Sequence, residues 1–189
     1  MSSTAEAPSR DNMEHFQAIP WCAKQLNCAN VVASPAISRH VKEGLEDSLF
    51  ATTLNSVDTI AAFVTFYTHP GDDSSLVNEL GAFITLGSLV NGFPGVCHGG
   101  IVMTIMDEVM GLLVPLNKER GAIGNSWLMT AYLNSTFIRP ITTPSTIRVT
   151  ARFTKTDGRK YYCESTIEDE NAVVLARAEA LFVALRDKL

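Results

Sequence analysis

The residues with the most chemical promise lie in GVCHGGIVMTIMDEVMG, residues 95–111, where His98, Gly99 and Gly100 open an apolar run that carries Asp107 and Glu108. Glycines at a helix start leave backbone N–H groups unobstructed by side chains. Together with the positive end of the helix dipole, such groups can stabilise an oxyanion. A carboxylate further along the same helix can serve as general base or as nucleophile. Asp107 follows Gly100 by almost two helical turns, ~10 Å along an ideal axis, which leaves room for a reacting carbonyl between them.

On an ideal wheel Ile101, Val102, Ile105, Val109, Leu112 and Leu113 fall opposite Asp107, a broad apolar face expected to form core. Gly100, Met103, Thr104, Met110 and Gly111 lie beside Asp107 instead, and these small or flexible residues predict close approach by another group. An ionised acid on such a face must be paired, hydrated or used, and a dry surround raises its pKa. The plain alternative is that Asp107 and Glu108 begin a solvated stripe.

Other reactive residue types carry less. Cys97 adjoins His98, but neighbours in sequence seldom point at each other as an activated Cys–His pair requires. His15, His40 and His69 have neither the mutual spacing nor the acidic company of a metal site, so no metal and no resident cofactor is expected. Arg139, Arg159 and Lys160 stand at expected strand ends, where solvated charge is the ordinary meaning. The stripe Met103, Met106 and Met110 suits a core, and equally a flexible wall for a variable apolar group.

The elements that must position these groups follow from the patterning. TIAAFVTFYT (59–68) is β-branched and aromatic and stops at His69-Pro70-Gly71, so it reads as a strand, with Asp72 and Asp73 in the following turn. A second strand is expected within 81–90, and Asn91-Gly92-Phe93-Pro94-Gly95 is a loop that leads into the long helix. Strands are then expected at 126–138, 146–154, 160–167 and 172–185, the second with strict alternation from Ile147 to Phe153. Before all of these, Ile37, Val41, Leu45 and Leu49 recur at four-residue steps, which predicts a helical arm over residues 13–54. Residues 1–12 are small and polar and are expected to be disordered. The class is α+β, with one sheet wrapped around one helix in a single domain over residues 55–189.

With 189 residues, 46% of them hydrophobic, the chain has material for one sizeable core. A net charge of -5 argues against wholesale binding of nucleic acid or an anionic membrane. Four cysteines without a C-x-x-C pair, and an N-terminus without the pattern of a secretory signal, suggest reduced thiols and a cytoplasmic location. The final Asp187-Lys188-Leu189 departs from the peroxisomal Ser-Lys-Leu address. Charged residues, Gly or Pro interrupt every apolar stretch before the ~20 residues of a membrane span, so no span is expected.

The ordered set Gly95, His98, Gly99, Gly100, Thr104, Asp107 and Gly111 resembles the hotdog-fold acyl-CoA thioesterases, nearest to their phenylacetate-pathway and mammalian thioesterase-superfamily branches. The likeness continues through LMTAYLNSTFIRPI (128–141) and DGRKYYCESTI (157–167). It implies a curved antiparallel sheet around a long helix, homodimers or homotetramers built by edge-to-edge pairing of sheets, and active sites between subunits. It further implies Asp107 as catalytic base or nucleophile and Gly99 as backbone donor to the thioester carbonyl. His98 would shape the oxyanion pocket, and Thr130 would reach the site from the facing subunit. Gly100, Met103 and Met110 would contact the substrate, with Arg139, Arg159 and Lys160 near the phosphates of CoA. The substrate would be an acyl-CoA or a related thioester; a carrier-protein or polyketide thioester, a dehydratase reaction and a non-catalytic binding module are the alternatives. Some branches carry asparagine six residues before the motif histidine; here Gly92 stands there with Asn91 one earlier, and Asn91 receives no role.

Overall fold

A computed structural model describes residues 12–71 and 75–185. Two short helices, α1 (Asn12–Gln17) and α2 (Pro20–Leu26), lead into the strands β1 (Val31–Pro35), β2 (Ile60–Thr68) and β3 (Glu79–Leu86). A small hairpin of β4 (Asn91–Phe93) and β5 (Val96–Cys97) delivers the long helix α3 (Gly99–Glu119), and β6 (Leu128–Phe137), β7 (Ser145–Asp157), β8 (Lys160–Glu168) and β9 (Val174–Ala184) complete the chain. One seven-stranded sheet runs β1-β2-β3-β7-β8-β9-β6, antiparallel throughout.

The sheet packs around α3, which touches β3, β6, β7, β8 and β9. Val102, Ile105, Val109, Leu112 and Leu113 are buried against it as the wheel predicts, while Ile101 is half-buried at the margin of that core. By length and composition alone α3 would cross a bilayer, at a mean hydropathy of 1.6. The expectation that no stretch is long and apolar enough is corrected to that extent. The apolar residues of the helix pack in the core against five strands of the one sheet.

Both faces of β2 are covered, which explains why TIAAFVTFYT is apolar without alternation. Phe63 faces α3, whereas Ala62, Val64 and Phe66 join Phe83 under α1 and α2, where Phe16, Cys22 and Leu26 are buried. Trp21 meets the Phe83 ring edge-on at 4.9 Å between centroids. Asn12, expected within the disordered start, is the first residue of α1, and its Oδ1 accepts from the Phe63 N–H at 3.1 Å. The rest of the 1–12 segment, Asp72 and Asp73, and the last three residues lie outside the described residues.

The helical arm over 13–54 is only half realised. Residues 31–35 form a strand that joins the sheet along β2, so the sheet begins well before residue 55. The four-residue stripe is not a helix face: Val41 and Leu45 are 78% and 80% exposed, in a loop where Leu45 and Asp47 take positive φ of 60° and 58°. Arg39 organises this segment. Its buried guanidinium donates to the carbonyls of Phe50 (3.1 Å), Leu54 (2.9 Å) and Ile60 (2.8 Å), and to Asn55 Oδ1. Burial lowers the Arg39 pKa to about 10, so it remains a cation bonded to neutral oxygens.

Candidate active site

Helix α3 starts where the glycines predict. His98 is the N-cap, extended at φ -64° and ψ 134°, and its Nδ1 accepts the Gly100 N–H at 2.9 Å. With Nδ1 accepting, the ring's donor nitrogen is Nε2. The Gly100 N–H is thereby committed to the cap. Gly99, the first helical residue, has an N–H without an intrahelical acceptor. It lines a cavity of about 390 Å³ with Phe137 and Arg139.

The loop before the helix accounts for Gly92. A Cβ at that position would lie 2.8 Å from His98 Cδ2 and 3.0 Å from His98 Cα, so an asparagine cannot occupy it while His98 keeps its place. Asn91 is engaged in the hairpin, where its Oδ1 accepts from Thr143 Oγ1.

Asp107 sits eight residues past Gly99, ~12 Å along the axis, in a different cavity of about 280 Å³. Thr130 Oγ1 donates to Asp107 Oδ1 at 3.0 Å. Burial raises the Asp107 pKa, and the Thr130 bond partly draws it back. Thr130 lies two residues past Leu128 on the same side of β6, and the strand carries a bulge between Thr130 and Tyr132. Before the bulge Leu128 faces the helix; after it Leu133 and Ser135 are the half-buried positions, so the alternation has changed phase. Without the extra residue, Thr130 and Leu133 would point to opposite faces.

Two expectations are corrected by this geometry. Thr130 meets Asp107 from its own chain, not from a facing one. Nor does one chain bring its Gly99 and Asp107 to one carbonyl, because the two open into separate cavities.

The remaining candidates are dispersed. Met110 is fully buried in the core, and half-buried Met103 lines neither cavity. Gly100 lies at the helix start, eight residues from Glu108. Arg139 is at the Gly99 end, where Nη1 donates to the Val174 carbonyl at 3.2 Å. Arg159 is at the opposite end of β9, donating to the Ala184 carbonyl at 2.8 Å, with Lys160 beside it opposite Val183. These three cations do not form one patch.

Sequence reasoning missed the cavity's other walls. Ile37, Lys42, Glu46 and Asp47 close it from the segment after β1, and Trp127 and Phe182 from the sheet. Glu108 shares the cavity with Asp107 and is no part of a solvated stripe; burial raises its pKa to about 7. Its signal was its place next to Asp107 on a helix otherwise poor in charge.

Comparison with known proteins agrees with this architecture. Residues 94–176 match the thioesterase superfamily model. The chain is 28% identical to verlamelin biosynthesis protein B of Lecanicillium sp. over 201 residues, covering 90% of this chain and 87% of the relative. It is 34% identical to the mouse acyl-coenzyme A thioesterase THEM4 over 97 residues, which cover 51% of this chain and 39% of the relative, well under half its length. Two solved structures share the fold: the Escherichia coli PaaI protein of the phenylacetic acid degradation operon (TM-score 0.51, 13% identity, 58% of this chain and 75% of that one) and a hypothetical thioesterase of Streptococcus pneumoniae with coenzyme A (TM-score 0.51, 11% identity, 59% and 82%).

Proposed function

We propose that this chain, whose residues 94–176 match the thioesterase superfamily model and whose fold is the hotdog fold of the solved structures above, hydrolyses an acyl-CoA thioester to the free acid and CoA. The observation that carries this reading is the 3.0 Å bond from Thr130 to Asp107 in a cavity. Thr130 occupies Oδ1 and fixes the carboxylate, which leaves Oδ2 to take a proton from water or to attack the carbonyl itself. Burial makes this carboxylate more basic than a solvated one. The Gly99 N–H is the donor for the developing oxyanion, and Nε2–H of His98 adds polarity to that pocket.

A complete site takes Asp107 and Thr130 from one copy and Gly99 from another. Strand β6 is the outer strand of the sheet and is exposed along most of its length, with Met129 and Phe137 each 53% exposed. Antiparallel pairing of β6 with its counterpart, centred near Leu133 and Asn134, sets Gly99 and Phe137 of one copy beside Asp107 and Thr130 of the other. The long unpaired edge and its apolar side chains favour this homodimer.

A carrier-bound thioester is the second reading, kept because the relative that matches nearly the whole of both chains is named for a biosynthesis and not for an acyl-CoA substrate. Turnover of a panel of acyl-CoA esters, followed by thiol release and compared with the same acyl groups on a carrier protein, tests both. Hydrolysis of CoA esters that is lost in Asp107→Asn supports the first reading. Turnover confined to the carrier-bound forms replaces it by the second.

A further inference from the structure

The Asp107 cavity continues along the C-terminal half of α3 through Gly111, Leu112 and Pro115 to Lys118, a span of ~16 Å. Ile37, Leu112, Val114, Trp127, Leu128 and Phe182 supply apolar walls suited to a hydrocarbon chain. Two features do not suit a plain one. Glu108 lines the same space without a cation of its own. Lys42 is committed to Asp47 at 2.6 Å and to Glu46 at 3.2 Å. Ser38, 1% exposed, has a buried hydroxyl that meets no partner at regular hydrogen-bond geometry, yet lies near enough to Glu108 to draw its raised pKa back down. The second feature is Pro115, which has no N–H to give the carbonyl of Gly111 four residues earlier, and both residues line the cavity.

We propose that Glu108, with the Gly111 carbonyl, makes this cavity selective for acyl groups that bear a hydroxyl a few bonds from the thioester, a substrate class that rests on the hydrolase reading. Asp107 and Glu108 line one cavity, so a group held at Asp107 brings its nearest carbons past Glu108. An unsubstituted chain would strip water from Glu108 and from the Gly111 carbonyl and return nothing. An alcohol answers both, since it donates to the backbone carbonyl or to the ionised carboxylate and accepts from the protonated acid. With a pKa of about 7, Glu108 offers either form near neutrality. Sites that bond a substrate hydroxyl reject its deoxy analogue more strongly than apolar pockets reject an added one.

The test is kcat/KM for saturated acyl-CoA esters and for their hydroxylated counterparts of equal length, with the hydroxyl walked along the carbons beyond the thioester. The wild-type protein is expected to prefer one hydroxylated position roughly tenfold or more. Glu108→Leu should erase or invert that preference, and Glu108→Gln, which still hydrogen-bonds, should keep part of it. A wild-type ratio near unity at every position, or a ratio unchanged in Glu108→Leu, overturns the proposal while leaving hydrolysis intact. If no ester is turned over, the hydrolase reading fails, and calorimetric binding of the free hydroxy and saturated acids still decides. Equal affinities overturn the selectivity, and tighter hydroxy-acid binding that Glu108→Leu abolishes supports it.

Discussion

Thr130 holds Asp107 from within the same chain, and the bulge after Thr130 lets Leu133 share its face of the strand. The acid and its positioning group therefore travel together, while Gly99, the proposed oxyanion donor, lies ~12 Å away along α3. This division of labour has consequences that can be measured.

Asp107→Asn keeps the side-chain volume and removes the base, so kcat is expected to fall on the order of 10² to 10⁴-fold with a far smaller change in KM. Thr130→Val should cost less, because water can replace part of the lost bond. Mixing these two variants under subunit exchange should restore nothing, since neither chain then carries an intact pair. Mixing Asp107→Asn with Gly99→Pro should restore activity. Proline fits the first helical position after the extended His98 and removes the N–H, and a Cβ there meets the Phe137 ring at 3.4 Å, an ordinary contact. Absence of rescue in the second mixture, with exchange verified, would place the whole site within one chain.

The acid limb of kcat/KM should lie above the ordinary aspartate range, because the Asp107 pKa is raised by burial. The Thr130 bond lowers that pKa, so Thr130→Val should move the limb further toward neutral pH. A limb that stays fixed in the variant would separate Asp107 from the observed titration.

Stability should carry the signature of Glu108. Its pKa rises from 4.5 to about 7 on folding, so between these values the folded state binds more protons than the unfolded one. The contribution is most favourable below about 4.5 and is lost as pH climbs through about 7. Urea unfolding at a series of pH values should show wild-type stability declining across this window relative to Glu108→Gln. Parallel profiles would mean that the side chain is solvated.

Gly92→Ala should destabilise the protein by about 1–3 kcal/mol, because its Cβ meets the backbone of His98 as well as the ring. Thermal denaturation checks the stability, and activity should fall with it as the N-cap shifts. An unperturbed melting temperature would show that the hairpin yields without cost.

Arg39→Met should cost on the order of 3 kcal/mol, since buried carbonyls of Phe50, Leu54 and Ile60 lose their donor. The same segment carries Ile37, Ser38 and Lys42, so KM should rise as the cavity wall loosens. A stable variant with unchanged KM would reduce Arg39 to a surface cation.

Much of the fold was legible because patterning and breakers coincide. The strands around Phe63, Val149 and Ile167 are bounded by turns, and the face of α3 opposite Asp107 is the core. The exception near the start is instructive. A four-residue recurrence from Ile37 to Leu49 looks like one helix face, but Arg39 binds the chain into an irregular wall, a tertiary interaction that no local spacing encodes. At the site, Asp107, His98 and Gly99 are written in one contiguous motif. That Thr130 and Leu133 share a face depends on a bulge, which a strict two-residue period hides. Glu108 was visible as a letter, yet its burial comes from Ser38 and Lys42, some 70 residues earlier in the chain.

The two borders of the sheet are finished differently. β1 is short, ends at Pro35, and is followed by a single turn at Ile37–Arg39. β6 offers ten residues of uncapped backbone. Strand-to-strand growth from such a sheet can proceed from one side only. Once two β6 borders have met across a two-fold axis, each outer end presents β1, which has little to template a third copy. In the proposed dimer the polarity of the sheet would thus make association self-terminating, because pairing hides the apolar β6 border.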